Sequence, residues 1–431
     1  MKLQVEFISE HIVKPSSPTP SHLSHHQLSF LDQTMPWVFM PWVLFYLKDG
    51  KVSNKERCDK VKEALSEALA MFYPLAGRIR GNDHVECNDD GVHFTEAKAK
   101  CTLLDFLQDP ICNEINKLLR FEIDNVNIDS LAFFQVTYFE CGGISIGIGI
   151  SHRIGDAMSS FMFLNTWAAM ARGDKNIIAP HFDSATLFPP INIEGFDPGF
   201  EIVKEKIVSK RFVFDSSSIE VIKDKYTEKS SMIEHPRRPT RVEALTAFIW
   251  NRFKATTQAE DDLDKVYAVM HAINMRPKMS LPFSGEIFGN IFVEYIVAVS
   301  DKFDVDEEEC SRMIKQMRNS IRNVNESYVK NLQGDEHLGL LKDRAERLSK
   351  GDIVCLDFTS WCRFPIYDID FGWGNPTWVG SAAWPYHNLV TFLDTKNGDG
   401  IEAWVHLKEE DMGKFESDHE LNSLISRVLI G

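Results

Sequence analysis

Polar and apolar positions change period segment by segment along this chain, and each period names an element. Ile144-Ser145-Ile146-Gly147-Ile148-Gly149-Ile150 alternates between a bulky aliphatic and a small residue, the two-residue repeat of a strand. The apolar run Phe133 to Phe139 lies just upstream across Glu140-Cys141-Gly142-Gly143, which predicts an antiparallel hairpin. From Asn54 to Phe72 the period lengthens. Val61, Leu65, Leu69 and Phe72 share one face with Lys and Glu opposite, as in an amphipathic helix. Ala157 to Arg172 is apolar nearly all round and predicts a buried helix closed by Gly173. Thr240-Arg241-Val242-Glu243 has the Thr-x-x-Glu capping pattern and opens a helix through Trp250. Val38 to Leu47 reads as a strand. The prolines of Pro15-Ser16-Ser17-Pro18-Thr19-Pro20 make an extended approach, because each fixes φ and biases its predecessor away from helix.

Alternation of strands and helices predicts an α/β fold. The 431 residues exceed what one core usually serves, so two domains of similar size are expected. Residues 174–206 lack periodicity and carry Phe188-Pro189-Pro190 and Phe196-Asp197-Pro198-Gly199. They are expected to be a crossover linker between an N-terminal domain, 1–173, and a C-terminal domain, 207–431. The acidic segment Asp301 to Glu309 is expected to be a solvated loop or a helix start.

Composition narrows the partners. Hydrophobic residues are 44% and charged residues 26%, ordinary for a soluble globular chain. A net charge of −16 argues against nucleic acid and anionic membrane, both of which need a broad basic face. The first residues are charged throughout and lack a signal peptide's apolar core, and Trp37 to Leu47 is broken by Pro41 and too short to span a bilayer. A cytoplasmic protein is therefore expected. The eight cysteines show no Cys-x-x-Cys pair and no zinc spacing, so no metal and no disulfide framework are expected.

Two motifs carry candidate chemistry. His152-Arg153-Ile154-Gly155-Asp156 follows the alternating strand directly. A strand tip holds an imidazole firmly while leaving it reachable, a good mount for a general base. With 14 histidines in the chain, about one His-x-x-x-Asp match arises by chance, so the motif needs support. Asp370-Phe371-Gly372-Trp373-Gly374 is the second motif. Its glycines, Gly372 included, permit a tight backbone path, and Phe371 and Trp373 can anchor the turn in a core.

The two motifs, in this order and about 200 residues apart, resemble those of the BAHD acyltransferases of plants, which move an acyl group from coenzyme A to an alcohol or amine. Pro18-Thr19-Pro20, Leu28 to Gln33, Tyr73 to Arg78, Phe288-Gly289-Asn290 and Thr359-Ser360-Trp361 match along the whole chain. Ser209 to Asp215, Asn274-Met275-Arg276 and Phe358 to Cys362 look most like the group that contains vinorine synthase and salutaridinol acetyltransferase. The resemblance implies two mixed-sheet, chloramphenicol acetyltransferase-like domains with the active-site channel at their interface. It also implies a monomer that keeps no cofactor permanently and takes acyl-CoA, acetyl-CoA first, as co-substrate.

An alcohol near pH 7 is a poor nucleophile, so attack on a thioester needs a base. The resemblance gives that role to His152. The tetrahedral oxyanion wants a donor, for which Thr359 and the Trp361 indole are candidates, against the plainer reading of a strand-end hydroxyl and a core indole. Asp156 is expected to pair with Arg276 as support for the loop. Asp370 stands with the catalytic candidates, although the resemblance implies that it, Gly372 and Trp373 hold the site's shape. For coenzyme A the basic cluster Lys204, Lys206, Lys210, Arg211, Arg237, Arg238 and Arg241 lies beside the capped helix start at Thr240, a setting that suits phosphate. Thr240, Arg241, Lys210, Asn290 and Ser360 are the expected contacts. The expected acceptor is a small-molecule alcohol, an alkaloid first. Malonyl or longer acyl transfer to a terpenoid or acylsugar hydroxyl is the alternative, as is a silent ligand-binding relative.

Overall fold

The computed structural model describes residues 2–121, 129–194, 196, 206–227, 237–257, 266–298, 307–332 and 334–426. Lys204 and most of the Phe196-Asp197-Pro198-Gly199 turn lie outside them, as do residues 301–306. In chain order the strands are β1 Val5–Val13, β2 His25–Gln27, β3 Phe39–Tyr46, β4 Arg78–Arg80, β5 His84–Glu86, β6 Val92–Ala99, β7 Ala132–Phe139, β8 Ile144–Ser151, β9 Ile207–Phe214, β10 Val266–Asn274, β11 Phe292–Ala298, β12 Ile353–Ser360, β13 Trp378–Ser381, β14 Leu389–Asp394 and β15 Ile401–Lys408. They build two six-stranded mixed sheets, ordered β1-β6-β7-β8-β3-β13 and β11-β10-β12-β14-β15-β9, and a small sheet β2-β5-β4.

The expected hairpin is β7 and β8, paired antiparallel. Its far strand differs from a half-solvated one, because every residue of β8 is buried. The isoleucines join the main core. The small residues face a second layer: a Cβ on Gly147 would meet the Leu118 carbonyl at 2.1 Å, and one on Gly149 the Phe121 ring at 2.2 Å. The helices Asn54–Met71 and Ala157–Arg172 pack on this sheet and on each other. The second ends at Gly173 with φ +81°, where glycine carries no Cβ penalty.

The helix opened by Thr240 runs to Thr257, past Trp250, since its buried face continues through Phe253. The acidic segment is not simply solvated. A helix begins at Glu307, and Glu309 is buried 3.1 Å from the Lys254 ammonium. Nor does the boundary at 207 divide the sheets: β13 pairs antiparallel with β3, Trp378 opposite Phe45 and Ser381 opposite Trp42. Ile366, Ile369, Phe371 and Trp378 accordingly bury themselves in the core of the first half. Among the described residues no helix is long and apolar enough to cross a membrane.

Candidate active site

β8 ends at Ser151, and the next residue is His152. Its backbone N–H donates to the Val38 carbonyl at 2.8 Å, pinning the loop to the start of β3. Nδ1 of the ring lies 3.0 Å from Oδ1 of Asn290. Nδ2 of that amide donates to the His152 carbonyl and to Oδ1 of Asp32, both at 2.8 Å, and the Asn290 backbone N–H donates to the same Asp32 oxygen. Two acceptors on Nδ2 leave Oδ1 as the atom facing the ring. Nδ1 therefore carries the imidazole proton, and Nε2 keeps its lone pair. Asp32 is held in turn by the N–H and hydroxyl of Ser29, at 3.0 and 2.6 Å. Burial pushes the His152 imidazole below its ordinary pKa against the pull of its hydrogen bonds and Asp156, so the ring is neutral at pH 7.

Asp156 caps the helix Ala157–Arg172, accepting from the Ser159 N–H at 2.9 Å. Arg276 donates to both its oxygens, at 2.7 and 3.1 Å, and also reaches the Ile287 and Gly289 carbonyls. Burial alone would raise the Asp156 carboxyl, but Arg276 and the backbone donors outweigh it and hold the group below its usual range. The pair closes the loop behind the histidine. Arg153 is fully buried and donates to the Gln33 and Met35 carbonyls at 2.7 and 2.8 Å, with its guanidinium 4.7 Å from the Trp37 ring.

His152 opens on a cavity of about 1020 Å³ whose walls come from both halves of the chain: Met35, Val38 and Met158 from the first, and Phe292, Thr359, Ser360, Trp361 and Tyr386 from the second. The three residues Thr359, Ser360 and Trp361 therefore share the cavity with the imidazole. Phe292 packs its ring 5.9 Å from that of His152.

Other expected site residues lie elsewhere. Asp370 is not a proton-transfer group at this cavity. Its Oδ1 accepts from the N–H groups of Gly372, Trp373 and Gly374 at 2.7, 3.0 and 2.8 Å, and its backbone carbonyl accepts from Arg172. The carboxylate thus ties its own turn, in which Gly372 has φ +103° and the Trp373 ring lies 4.7 Å from the Arg57 guanidinium. The basic cluster is largely neutralised. Lys210 pairs with Glu416, Lys206 with Glu409, Arg211 with Glu402, Arg238 with Glu220 and Asp224, and Arg241 with Asp394. Thr240 caps its helix reciprocally with Glu243, and Thr240, Arg241 and Lys210, the expected nucleotide contacts, do not line this cavity. Asn290, expected on coenzyme A, sits behind the imidazole.

Four contributors escaped the sequence reading. Asp32 had a signal, the Ser29-x-x-Asp32 spacing of a capping box. Glu294 and Asp357 are carboxylates inside the apolar strands β11 and β12, a conspicuous placement once the strands are known. Arg344 lies on the helix Gly334–Ser349 and lines the cavity.

The structure thus places a neutral histidine, delivered by a sheet of the first half, on a cavity that both halves of the chain wall, a setting in which it can accept a proton from a bound hydroxyl. Residues 3–422 match the model of the Transferase family. The chain belongs to this family, the BAHD acyltransferases, and is an acyl-CoA-dependent acyltransferase. Its sequence is 36% identical over 429 residues to stemmadenine O-acetyltransferase of Catharanthus roseus, 97% of each chain being covered. It is 34% identical over 425 residues to vinorine synthase of Rauvolfia serpentina, covering 96% of each. The crystal structure of vinorine synthase superposes with a TM-score of 0.86 over 99% of this chain and all of that one. The F. sporotrichioides TRI101 structure, complexed with coenzyme A and T-2, shares the fold at 17% identity, with a TM-score of 0.71 over 94% of this chain and all of that one.

Proposed function

We propose that the enzyme transfers an acetyl group from acetyl-CoA to a hydroxyl of an alkaloid-type specialised metabolite, with His152 as general base in a ternary complex. The observation that carries the proposal is the Asn290 Oδ1 atom 3.0 Å from Nδ1: it accepts a hydrogen bond from the protonated Nδ1, which leaves Nε2 of a neutral imidazole to accept a proton. In the step, Nε2 removes the hydroxyl proton as the oxygen attacks the thioester carbonyl, forming the C–O bond and an oxyanion. Collapse then breaks the C–S bond, and the imidazolium returns the proton to the leaving thiolate. Thr359 and Trp361 line the same cavity and are the candidate donors to the oxyanion. The name of stemmadenine O-acetyltransferase supports acetyl as the donor group and an oxygen as the acceptor atom.

Acetyl-, malonyl- and benzoyl-CoA should be offered with a mixed panel of alkaloid, terpenoid and phenolic alcohols, and the products read by mass spectrometry beside His152→Ala. An acetyl ester from the parent, reduced on the order of 10²–10⁴-fold in the variant, is expected. Equal product from the variant would remove the role given to His152, and a malonyl or benzoyl ester in place of acetyl would overturn the donor.

A further inference from the structure

Charges on the cavity wall do not balance, and the imbalance lies in one place. Among the described lining residues, Asp156 is matched by Arg276 behind it, while Lys408 and Asp411 carry opposite signs. Glu294 and Asp357, by contrast, share a single cation. Arg344 donates to Glu294 and lies 3.4 Å from Oδ2 of Asp357.

The position of this trio is set by strand periodicity. Glu294 follows Phe292 by two residues on β11, so it shares the face that meets His152, and Asp357 precedes Thr359 by two on β12. Between those strands runs β10, where Ala272 stands opposite Glu294 and Met270 opposite Asp357; both line the cavity. The carboxylates are thus on the wall that carries the base's aromatic neighbour and the candidate oxyanion donor. Oδ1 of Asp357 is buried and has no hydrogen-bond partner. Burial, with a smaller push from Glu294 and only partly offset by Arg344 and the Cys355 thiol, raises that carboxyl to about 6. A buried carboxylate short of its own cation is costly, and a ligand that supplies the missing charge recovers that cost.

We infer that Glu294, Asp357 and Arg344 form an ammonium subsite: the acceptor alcohol carries a protonated amine, which this trio seats while the hydroxyl is presented to His152. The inference rests on the cavity being the acceptor site of the transfer described above. It deepens that reading by assigning the residues that would seat the acceptor's charged nitrogen. The third charge explains why a guanidinium is present at all, because two bare carboxylates facing each other across Ala272 and Met270 would repel and one would protonate.

A matched pair of rigid alcohols tests this in the full-length enzyme with coenzyme A present. Quinuclidin-3-ol is protonated at neutral pH, and bicyclo[2.2.2]octan-2-ol is the same cage with carbon in place of nitrogen. Calorimetric titration should give the amine a preference of about tenfold or more, some 1.4 kcal/mol. Glu294→Gln and Asp357→Asn should each bring the preference toward one while the neutral cage binds as before. Arg344→Gln, in which the two carboxylates share a proton in place of the guanidinium, should keep a preference for the amine, which a misfolded variant would lose. Equal binding of the two cages by the parent, or a preference that survives both carboxylate variants, would overturn the subsite. Acetyl transfer is followed in parallel samples that hold acetyl-CoA in place of coenzyme A: an intact preference with no ester from either alcohol supports the ammonium subsite and counts against acetyl transfer at this site, so the two fail separately.

Discussion

A histidine can act as a base only through the nitrogen that carries no proton, and here an amide 138 positions away decides which nitrogen that is. Asn290 can decide it because Asp32 and the His152 carbonyl fix its own orientation first. The chain of control runs from Ser29 through Asp32 and Asn290 to the ring, so Asn290 is a positioning residue. Replacing it with Leu should lower kcat on the order of ten- to a hundred-fold and leave KM for the acyl donor nearly unchanged. The Asp replacement gives a different signature. The new carboxyl shares one proton with Asp32 across their 2.8 Å contact and brings the pair's negative charge closer to the imidazolium, so the acidic limb of the kcat/KM profile should move to higher pH, whereas burial keeps the parent's limb below an ordinary imidazole's. Profiles of the parent and both variants decide it; coincident acidic limbs in the parent and the Asp variant would remove Asn290 from this role.

Elements were legible where a period was clean and opaque where contacts came from distant chain. The helices Asn54–Met71 and Ala157–Arg172 and the β7–β8 hairpin follow from spacing that local geometry imposes. His152 was legible for the same reason, being the residue that a strand of known length delivers. Asp156 and Arg276 were expected to meet, and they do. The detour of β13 to the first sheet was not readable, because four residues carry too little pattern to name a partner. Pairing of the basic cluster was equally hidden: Glu402, Glu409 and Glu416 lie about 200 positions away from the residues they neutralise. The glycines of β8 show the same limit, since alternation with small residues reads as a half-solvated strand until Leu118 and Phe121 are seen on its other face. This has a measurable consequence. Gly147→Ala pushes a methyl into a backbone carbonyl at 2.1 Å, while Gly149→Ala meets a phenyl ring that can shift. Gly147→Ala should therefore be the worse, costing about 1–3 kcal/mol in denaturant unfolding. The reverse order would mean that the 118–121 segment yields more easily than the Phe121 ring.

At the scale of the whole molecule, buried neutral histidines set the acid limit. Burial holds His26 at about 4 and His271 and His406 at about 3, on three strands in two sheets. The unfolded chain protonates these imidazoles near 6.5, while the folded chain does not until pH 3 to 4. Between those values the unfolded state binds more protons, and stability falls with pH by up to about 1.4 kcal/mol per pH unit per group. Asp357, raised to about 6, works the other way over its upper part of the window, because there the folded state is the one that holds the extra proton. His152 and His337, also lowered by burial, add to the histidines, and Asp32 and Glu402, raised by burial, add to Asp357; the histidines outnumber these carboxyls and leave a net loss on acidification. His271 isolates a single contribution: its ring lies between those of Tyr295 and Phe358 and accepts or donates one hydrogen bond at Thr246. Phenylalanine keeps that stack and leaves the Thr246 hydroxyl without a partner, at a pH-independent cost of about 1–3 kcal/mol. His271→Phe should thus be less stable than the parent at pH 7.5 and should lose less stability on going to pH 5, as measured by urea unfolding at both values. Parallel losses in the two proteins would show that His271 is protonated within the fold and that the acid limit is set elsewhere.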